Sequence, residues 1–408
     1  MIQLIKLAVL GYGTVGSGVV EVLEKNREII AKRAGEEIQV KYVLDRKDFS
    51  GTPIENIIVN DFEQIVQDEE IKIVVEVLGG VEPAYIFVKR SLEAGKSVVT
   101  SNKELVAQCG SELLEIAMNN GVNFLFEASV GGGIPIIRSL HQALTGDEIE
   151  EITGILNGTT NYMMTKMFNE GAEYDEVLKE AQDKGYAERN PEADVEGHDA
   201  CRKIAILSSV ISGKCVDYKE IYTEGIAEIT ATDMKYAKKL GRTIKLLASA
   251  KRDGDKISAM VCPCLLNDSH PLYHVDGVFN AVFVRGNMLG DAMFYGSGAG
   301  KLPTASAVVG DVVDAAKNMG RTVMPVWTNE KISLTDKADT EKKFFVRIKG
   351  TPEEYAEKIE GVFGKTETIV LENVEGEFGF MTEKIKESVY EEKASQFSNI
   401  LHMMRVEE

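Results

Sequence analysis

The chain opens on short apolar runs that alternate with stretches whose apolar residues fall three and four positions apart. Residues 5–10 read as a strand. Residues 15–31 read as a helix, with Val15, Val19, Val22, Leu23, Ile29 and Ile30 at helical spacing. Strands follow at 40–44, 71–78, 97–100 and 123–127. Helices fall at 83–94, which Gly95 ends, and at 105–119, which stops near Gly121. Strand and helix in this rhythm predict parallel βαβ units, hence an α/β fold with a Rossmann-like doubly wound sheet over residues 1–128.

The glycine-rich stretch 129–135 marks a change of character. From about residue 150 the pattern is mixed, with strands at 152–156, 261–263 and 278–284 and helices at 175–184 and 199–212. This predicts an α+β domain with its own sheet over residues 129–327. Its apolar-faced helix, 304–320, is placed to pack back on the first domain. Residues 328–343 are polar and read as a linker. The final segment, 344–408, runs strand 344–349, helix 353–363, strands 366–374 and 378–385, helix 387–400 and strand 401–406. That βαββαβ order is the ferredoxin-like plan.

Charge narrows the partners. The 408 residues carry 46 basic and 65 acidic side chains, a net charge of −19 that repels a phosphate backbone, so nucleic acid is not an expected partner. No apolar run is long enough to span a bilayer. Residues 1–6 lack the charged-then-apolar plan of a signal peptide and read straight into a strand. The five cysteines are few, odd in number and scattered, which fits reduced thiols in a cytoplasm. Cys262-Pro263-Cys264 has no matching Cys or His cluster at zinc-site spacing, so buried thiols are expected there. The histidines have no triad or zinc spacing, and His198 reads as a partly exposed loop residue. Met163, Met164 and Met167 read as core or subunit interface.

Three patterns carry chemistry. Gly11-Tyr12-Gly13-Thr14-Val15-Gly16 follows a strand and opens a helix, where glycines permit a tight turn, close approach to a pyrophosphate and use of the helix N-terminus. The second strand ends at Asp45-Arg46-Lys47. An acidic residue there suits a ribose hydroxyl and a basic one suits a 2′-phosphate, so NAD and NADP both remain open. Thr100-Ser101-Asn102-Lys103 follows the fourth strand, where ligands sit in open α/β sheets, although a surface lysine is the plainer reading. The third pattern is 181–203. A helix stops at Gly185, a loop supplies Glu188, Asp194 and Asp199, and Asp199 and Lys203 share a helix face four residues apart. Carboxylates there would hold an ammonium and a hydroxyl while the lysine moves a proton. A solvated acidic loop explains the spacing equally well.

The order within 181–203 is more specific than its spacing. Ala181, Gly185-Tyr186-Ala187, Asn190-Pro191, Asp194-Val195, Gly197, Asp199 and Lys203 together resemble the homoserine dehydrogenase signature. The resemblance extends to 11–16, 100–103, 127–135, Asn157-Gly158-Thr159-Thr160-Asn161 and 298–308, nearly all of residues 1–320. It implies reversible reduction of L-aspartate 4-semialdehyde to L-homoserine with NADP or NAD, on the route to threonine, methionine and isoleucine. By resemblance Lys203 is the acid–base residue and Lys103 lies across the same substrate oxygen. Asp199, Glu188, Asp194 and Thr159 orient the substrate. Gly298 and Gly300 lie near the cofactor. A monovalent cation, Na+, would sit at Glu127, Val130, Gly132 and Ile134. Two ammonium groups would also stabilise the charge that hydride delivery builds on an aldehyde oxygen.

Residues 344–408 resemble an ACT domain, which implies an amino-acid effector such as threonine. Its usual Asp-x-Pro-Gly turn is here Gly350-Thr351-Pro352-Glu353-Glu354, without the glycine. A homodimer or homotetramer is expected from the family, pairing through the second domain. Two other readings compete: a non-catalytic dinucleotide and amino-acid sensor, and a dehydrogenase for another amino-acid semialdehyde.

Overall fold

The computed structural model describes residues 4–408, and the first three residues of the opening run lie outside the described residues. The first unit is built from β1 (Leu4–Leu10), α1 (Thr14–Lys25), α2 (Arg27–Ala34), β2 (Glu37–Leu44), β3 (Ile58–Val59), α3 (Glu63–Val66), β4 (Ile71–Glu76), α4 (Ala84–Glu93), β5 (Ser97–Thr100), α5 (Lys103–Asn119) and β6 (Phe124–Leu125). The strands pair in parallel in the order β3-β2-β1-β4-β5-β6. Val9, Val74, Val75 and Val98 are fully buried, because helices cover both faces of a parallel sheet.

Two expectations change here. The helix over 15–31 is two helices that meet at Asn26, whose backbone leaves the helical region. The strand over 123–127 pairs only at Phe124–Leu125, then tightens into a 3-10 turn at Glu127–Ser129. That turn carries the chain into the second unit through α6 (Ile136–Arg138).

The second unit contains β7 (Ile149–Ile155), α7 (Gly158–Glu170), α8 (Tyr174–Asp183), α9 (Glu192–Val195), α10 (His198–Ser212), β8 (Lys214–Cys215), β9 (Tyr222–Thr223), α11 (Ala231–Lys239), β10 (Arg242–Asp253), β11 (Lys256–Asn267), β12 (Phe279–Gly286), β13 (Gly290–Ser297) and α12 (Lys301–Lys317). The sequence pattern missed α7, α11, β10 and β13, and showed only a fragment of β11. Met163, Met164 and Met167 lie in the core on α7, and Cys262 and Cys264 are buried on β11. α12 returns to the first unit and crosses α1 at Gly18, where a Cβ would meet the Lys301 carbonyl oxygen at 2.8 Å.

Residues 328–343 are less free than the linker expectation held. β14 (Thr328–Lys331) pairs with β8, and Trp327 packs so closely on α5 that a Cβ on Gly110 would lie 2.6 Å from its ring. The final segment is β15 (Glu341–Lys349), α13 (Pro352–Phe363), β16 (Thr366–Ile369), β17 (Glu377–Thr382), β18 (Ile385–Lys386), α14 (Glu387–Ala394) and β19 (Ile400–Glu407). Its strands order β19-β15-β17-β16, the arrangement of the ferredoxin-like plan. Its sheet is not separate, however. β19 pairs in parallel with β11, which joins the second unit and the final segment into one 11-stranded sheet.

Candidate functional site

The glycine turn between β1 and α1 is shaped by contacts that exclude side chains. Gly11 has φ +98°, and a Cβ on Gly16 would lie 1.9 Å from the Gly11 carbonyl oxygen. Gly13 has open space where a side chain would be. It caps α1 without a side-chain hydrogen bond, so the first-turn N–H groups keep no internal acceptor. Thr14 is exposed and Val15 half-buried. Tyr12 donates its N–H to Asp45 Oδ2 (2.8 Å), and Lys47 donates its N–H to Asp45 Oδ1 (3.0 Å). The Asp45 carboxylate thus ties the glycine turn to the backbone after β2. Arg46 lines a neighbouring cavity of about 450 Å³ with Asn60, Leu78, Gly79 and Pro83. Lys47 is exposed and does not line it. These residues fit a dinucleotide: a glycine-rich turn, first-turn N–H groups without internal acceptors and a cavity beside a cation.

A second cleft, of about 510 Å³, lies between the two units. It gathers Lys103, Thr159, Glu188, Asp194, Asp199, Lys203, Val130, Gly132, Gly298 and Gly300, residues up to two hundred positions apart in the chain. Lys103 opens α5, where Asn102 caps the helix by accepting the Leu105 N–H (3.1 Å). Asp199 and Lys203 lie on the first turns of α10. Lys203 donates from Nζ to Asp199 Oδ2 (2.8 Å) and to the Leu156 carbonyl (2.7 Å). An ammonium has three protons, so one remains uncommitted. Lys103 forms an ion pair with the other Asp199 oxygen, Oδ1. Asn157 donates from Nδ2 to Asp194 Oδ1 (2.7 Å) and to Asp199 Oδ2 (2.9 Å).

The charges are unequal. Burial opposes ionisation of Asp199, but the ammonium groups of Lys203 and Lys103 outweigh it and hold its carboxyl well below the usual range. Burial also dominates at Lys203. Asp199 resists the effect and Lys103 adds to it, and the net result is a lowered pKa. Lys103 is less enclosed, and Asp199 raises its pKa against burial. Burial raises the Asp194 carboxyl. A single carboxylate therefore serves two lysines, and the deeper lysine gives up its proton more easily.

The glycine-rich hinge closes the cleft from below. A Cβ on Gly132 would lie 2.2 Å from the Gly298 carbonyl oxygen, and one on Gly298 would strike the Asn280 side chain at 2.1 Å. Gly300, at φ +115°, caps α12. Glu127 is buried and accepts the N–H groups of Ile137 and Arg138 (both 2.8 Å). Burial, with Glu127 beside it, pushes the Asp311 carboxyl up to about 7 despite Arg138. Glu127 and Ile134 do not line the cleft, whereas Val130 and Gly132 do.

The family models agree with this architecture. The model described as "Homoserine dehydrogenase, NAD binding domain" matches residues 11–127, and "Homoserine dehydrogenase" matches 135–313. The homoserine dehydrogenase of Bacillus subtilis is 40% identical over 403 residues, 98% of this chain and 88% of its own length.

The chain belongs to the homoserine dehydrogenase family.

It is an NAD(P)-dependent oxidoreductase. A homoserine dehydrogenase structure from Thiobacillus denitrificans superposes with a TM-score of 0.91 at 35% identity, covering 100% of this chain and 99% of that one. A hyperthermophilic archaeal homoserine dehydrogenase, solved in complex with NADPH, matches with a TM-score of 0.66 at 31% identity over 77% of this chain and 98% of its own. The family expected from residues 181–203 is borne out.

Within this homoserine dehydrogenase some expected contacts are placed differently from the sequence reading. Thr100 is fully buried and donates from Oγ1 to Glu76 Oε2 (2.6 Å), so its side chain serves the strand end and Ser101 lines the cleft instead. Thr159 lines the cleft while its hydroxyl donates to the Tyr186 carbonyl (2.5 Å). Glu188 lines the cleft from an exposed loop. His198 is exposed, as expected, but opens α10 where a loop residue was expected. Asn157 was legible only as part of a shared motif. Its one independent signal is Asn before Gly-Thr-Thr, a helix N-cap pattern that gives no hint of the two carboxylates it bridges.

Proposed function

We propose that this chain catalyses the reversible reduction of L-aspartate 4-semialdehyde to L-homoserine at the cleft between its two units. The observation that carries this reading is the pairing of Lys103 and Lys203 on opposite oxygens of Asp199, with Asp194 beside them. Glu188, Asp194 and Thr159 hold the substrate, its ammonium against the carboxylates. Lys203 moves the proton at the substrate oxygen through its uncommitted N–H. Lys103 adds positive charge where the oxygen becomes anionic. Asp199 keeps both lysines aimed. The dinucleotide, when bound, supplies or accepts the hydride.

Gly11, Tyr12, Gly13, Thr14, Val15 and Gly16 would hold the pyrophosphate. Ser101, Lys103, Gly298 and Gly300 would flank the reacting end, with Thr100 buried behind them on Glu76. Between the two dinucleotides, NADP is favoured. Asp45 and Arg46 both line the cavity, but the Asp45 carboxylate already accepts two backbone N–H groups, while Arg46 is exposed with Lys47 next to it. Loss of NADPH absorbance on adding aspartate semialdehyde tests the reading, and its absence overturns it.

Three further assignments belong to the same proposal. The Glu127 carboxylate with the carbonyls of Val130, Gly132 and Ile134 is an oxygen donor set suited to a hard monovalent cation such as Na+. Comparing thermal stability in sodium and in a bulky organic cation tests it. The C-terminal unit is ACT-like, and the role is threonine control of a pathway to threonine, methionine and isoleucine. Titrating threonine against activity in the full chain tests this, and a flat response overturns it. The assembly is a homodimer or homotetramer through the second unit, whose edge strand β13 exposes Met293 and Tyr295 next to Met288. Light scattering decides the number of subunits.

A further inference from the structure

Asn157 is 6% exposed and has no charge to contribute, yet it sits at the centre of the cleft's electrostatics. Its Oδ1 accepts the Thr160 N–H (2.9 Å) and the Thr160 hydroxyl (3.0 Å), which fixes the side chain to the start of α7. Its Nδ2 is thereby aimed the other way, at Asp194 (2.7 Å) and Asp199 (2.9 Å). Two carboxylates this close repel, and each makes the other harder to ionise. A cation between them would remove the repulsion but would use up a lysine. The neutral amide offers two N–H groups in a fixed plane instead. It holds the carboxylates apart at a set spacing and leaves both ammonium groups to the reacting oxygen.

We propose that Asn157 is a positioning residue that sets the spacing of Asp194 and Asp199, and through Asp199 the aim of Lys203. This rests on the assignment of Lys203 and Asp199 made above. It separates two functions in one side chain. The carbonyl end caps a helix and the amide end organises the substrate site.

Three substitutions in the full chain separate the two. Ser and Asp cap helices about as well as Asn, whereas Ala does not. Asn157→Ser and Asn157→Asp therefore keep the cap and lose the amide bridge. Asn157→Ala loses both. The expected result for Asn157→Ser is a fall of about 10–100-fold in kcat/KM for homoserine, with the melting temperature and the KM for the dinucleotide unchanged. Asn157→Asp should also move the alkaline limb of the rate profile up by about one pH unit, because another carboxylate favours charged Lys203. Wild-type kcat/KM in Asn157→Ser, or an unmoved limb in Asn157→Asp, overturns the proposal. So does a loss in Asn157→Ser that is matched by loss of melting temperature and dinucleotide affinity, since that would mark a purely structural role. Lys203→Ala is the control for the underlying assignment. If it keeps turnover, that reading fails, whatever the Asn157 variants do.

Discussion

Two regions of this molecule bury charged side chains, and they do so in opposite ways. In the cleft two ammonium groups share Asp199, with Asp194 and Glu188 on the same lining. At the seam between β11 and the C-terminal unit each buried guanidinium is held by two carboxylates. Arg405 donates to both oxygens of Glu387 (2.9 and 2.5 Å) and to Glu224 (2.6 Å), with the Tyr222 ring 5.0 Å from its guanidinium. Arg347 donates to both oxygens of Glu377 (3.0 and 2.9 Å) and to Asp233 (2.9 Å). At the seam the cationic partners drive the carboxylates away from neutral titration: Asp233 and Glu407 are lowered to about 2. In the cleft burial outweighs the carboxylates beside Lys203 and lowers its pKa. Ion pairs that hold a carboxylate low are structural, and a lysine whose burial outweighs its carboxylate partners is the one placed to react.

Substitution should split the two regions cleanly. Lys203→Met removes the proton carrier, so turnover should fall by about 10²–10⁴-fold while dinucleotide binding is retained. Its stability should fall by less than about 3 kcal/mol, because Asp199 loses one buried partner but keeps Lys103 and Asn157. Comparable loss of dinucleotide affinity would break the comparison. Arg405→Met should do the reverse. It strands Glu387 and Glu224, and stability in urea should drop by about 3–5 kcal/mol. A loss under about 1 kcal/mol would mean that the seam is wet and weak.

Acid should weaken the seam. Asp233 and Glu407 have folded pKa values depressed to about 2 from 3.8 and 4.5. Such groups stabilise the fold fully above the unfolded value and lose that contribution as pH falls through the folded one. Stability should therefore decline between about pH 4.5 and 2, by about 2–3 kcal/mol for each carboxylate. Unfolding free energies measured across that window would check it. The smallest expected effect concerns cofactor choice. Arg46→Ala should weaken NADPH by about 1.5–3 kcal/mol and leave NADH nearly unchanged. Equal weakening of both would place Arg46 away from the 2′-phosphate.

The two regions also differ in how much of each the sequence reveals. The parallel sheet was legible because strands such as β4 and β5 are short, mostly buried runs with apolar centres that alternate with helical patterns. α7 was not, since its residues are buried nearly all round and lack an amphipathic stripe. Its Asn-Gly-Thr-Thr start was read as a motif, not as a helix. β10 was hidden because Lys245 and Lys251 interrupt its pattern, although Lys245 is buried and neutralised by Asp276 (2.7 Å). In the cleft, Asp199 and Lys203 were visible as an i,i+4 pair, but their meeting with Lys103 depends on how α5 and α10 pack. The join of β11 to β19 is a parallel pairing across distant residues, such as Cys264 with Arg405, and no local pattern encodes it.

The measurement closest to the central claim is the pH dependence of kcat for homoserine oxidation in the intact chain. If burial beside Lys103 makes Lys203 the base, kcat rises with pH and levels off below about 10.4, the value of a free lysine. Lys103→Met should then move that limb upward, since it removes a positive neighbour that helps to lower Lys203. A flat profile, or a limb that Lys103→Met leaves in place, would contradict the account.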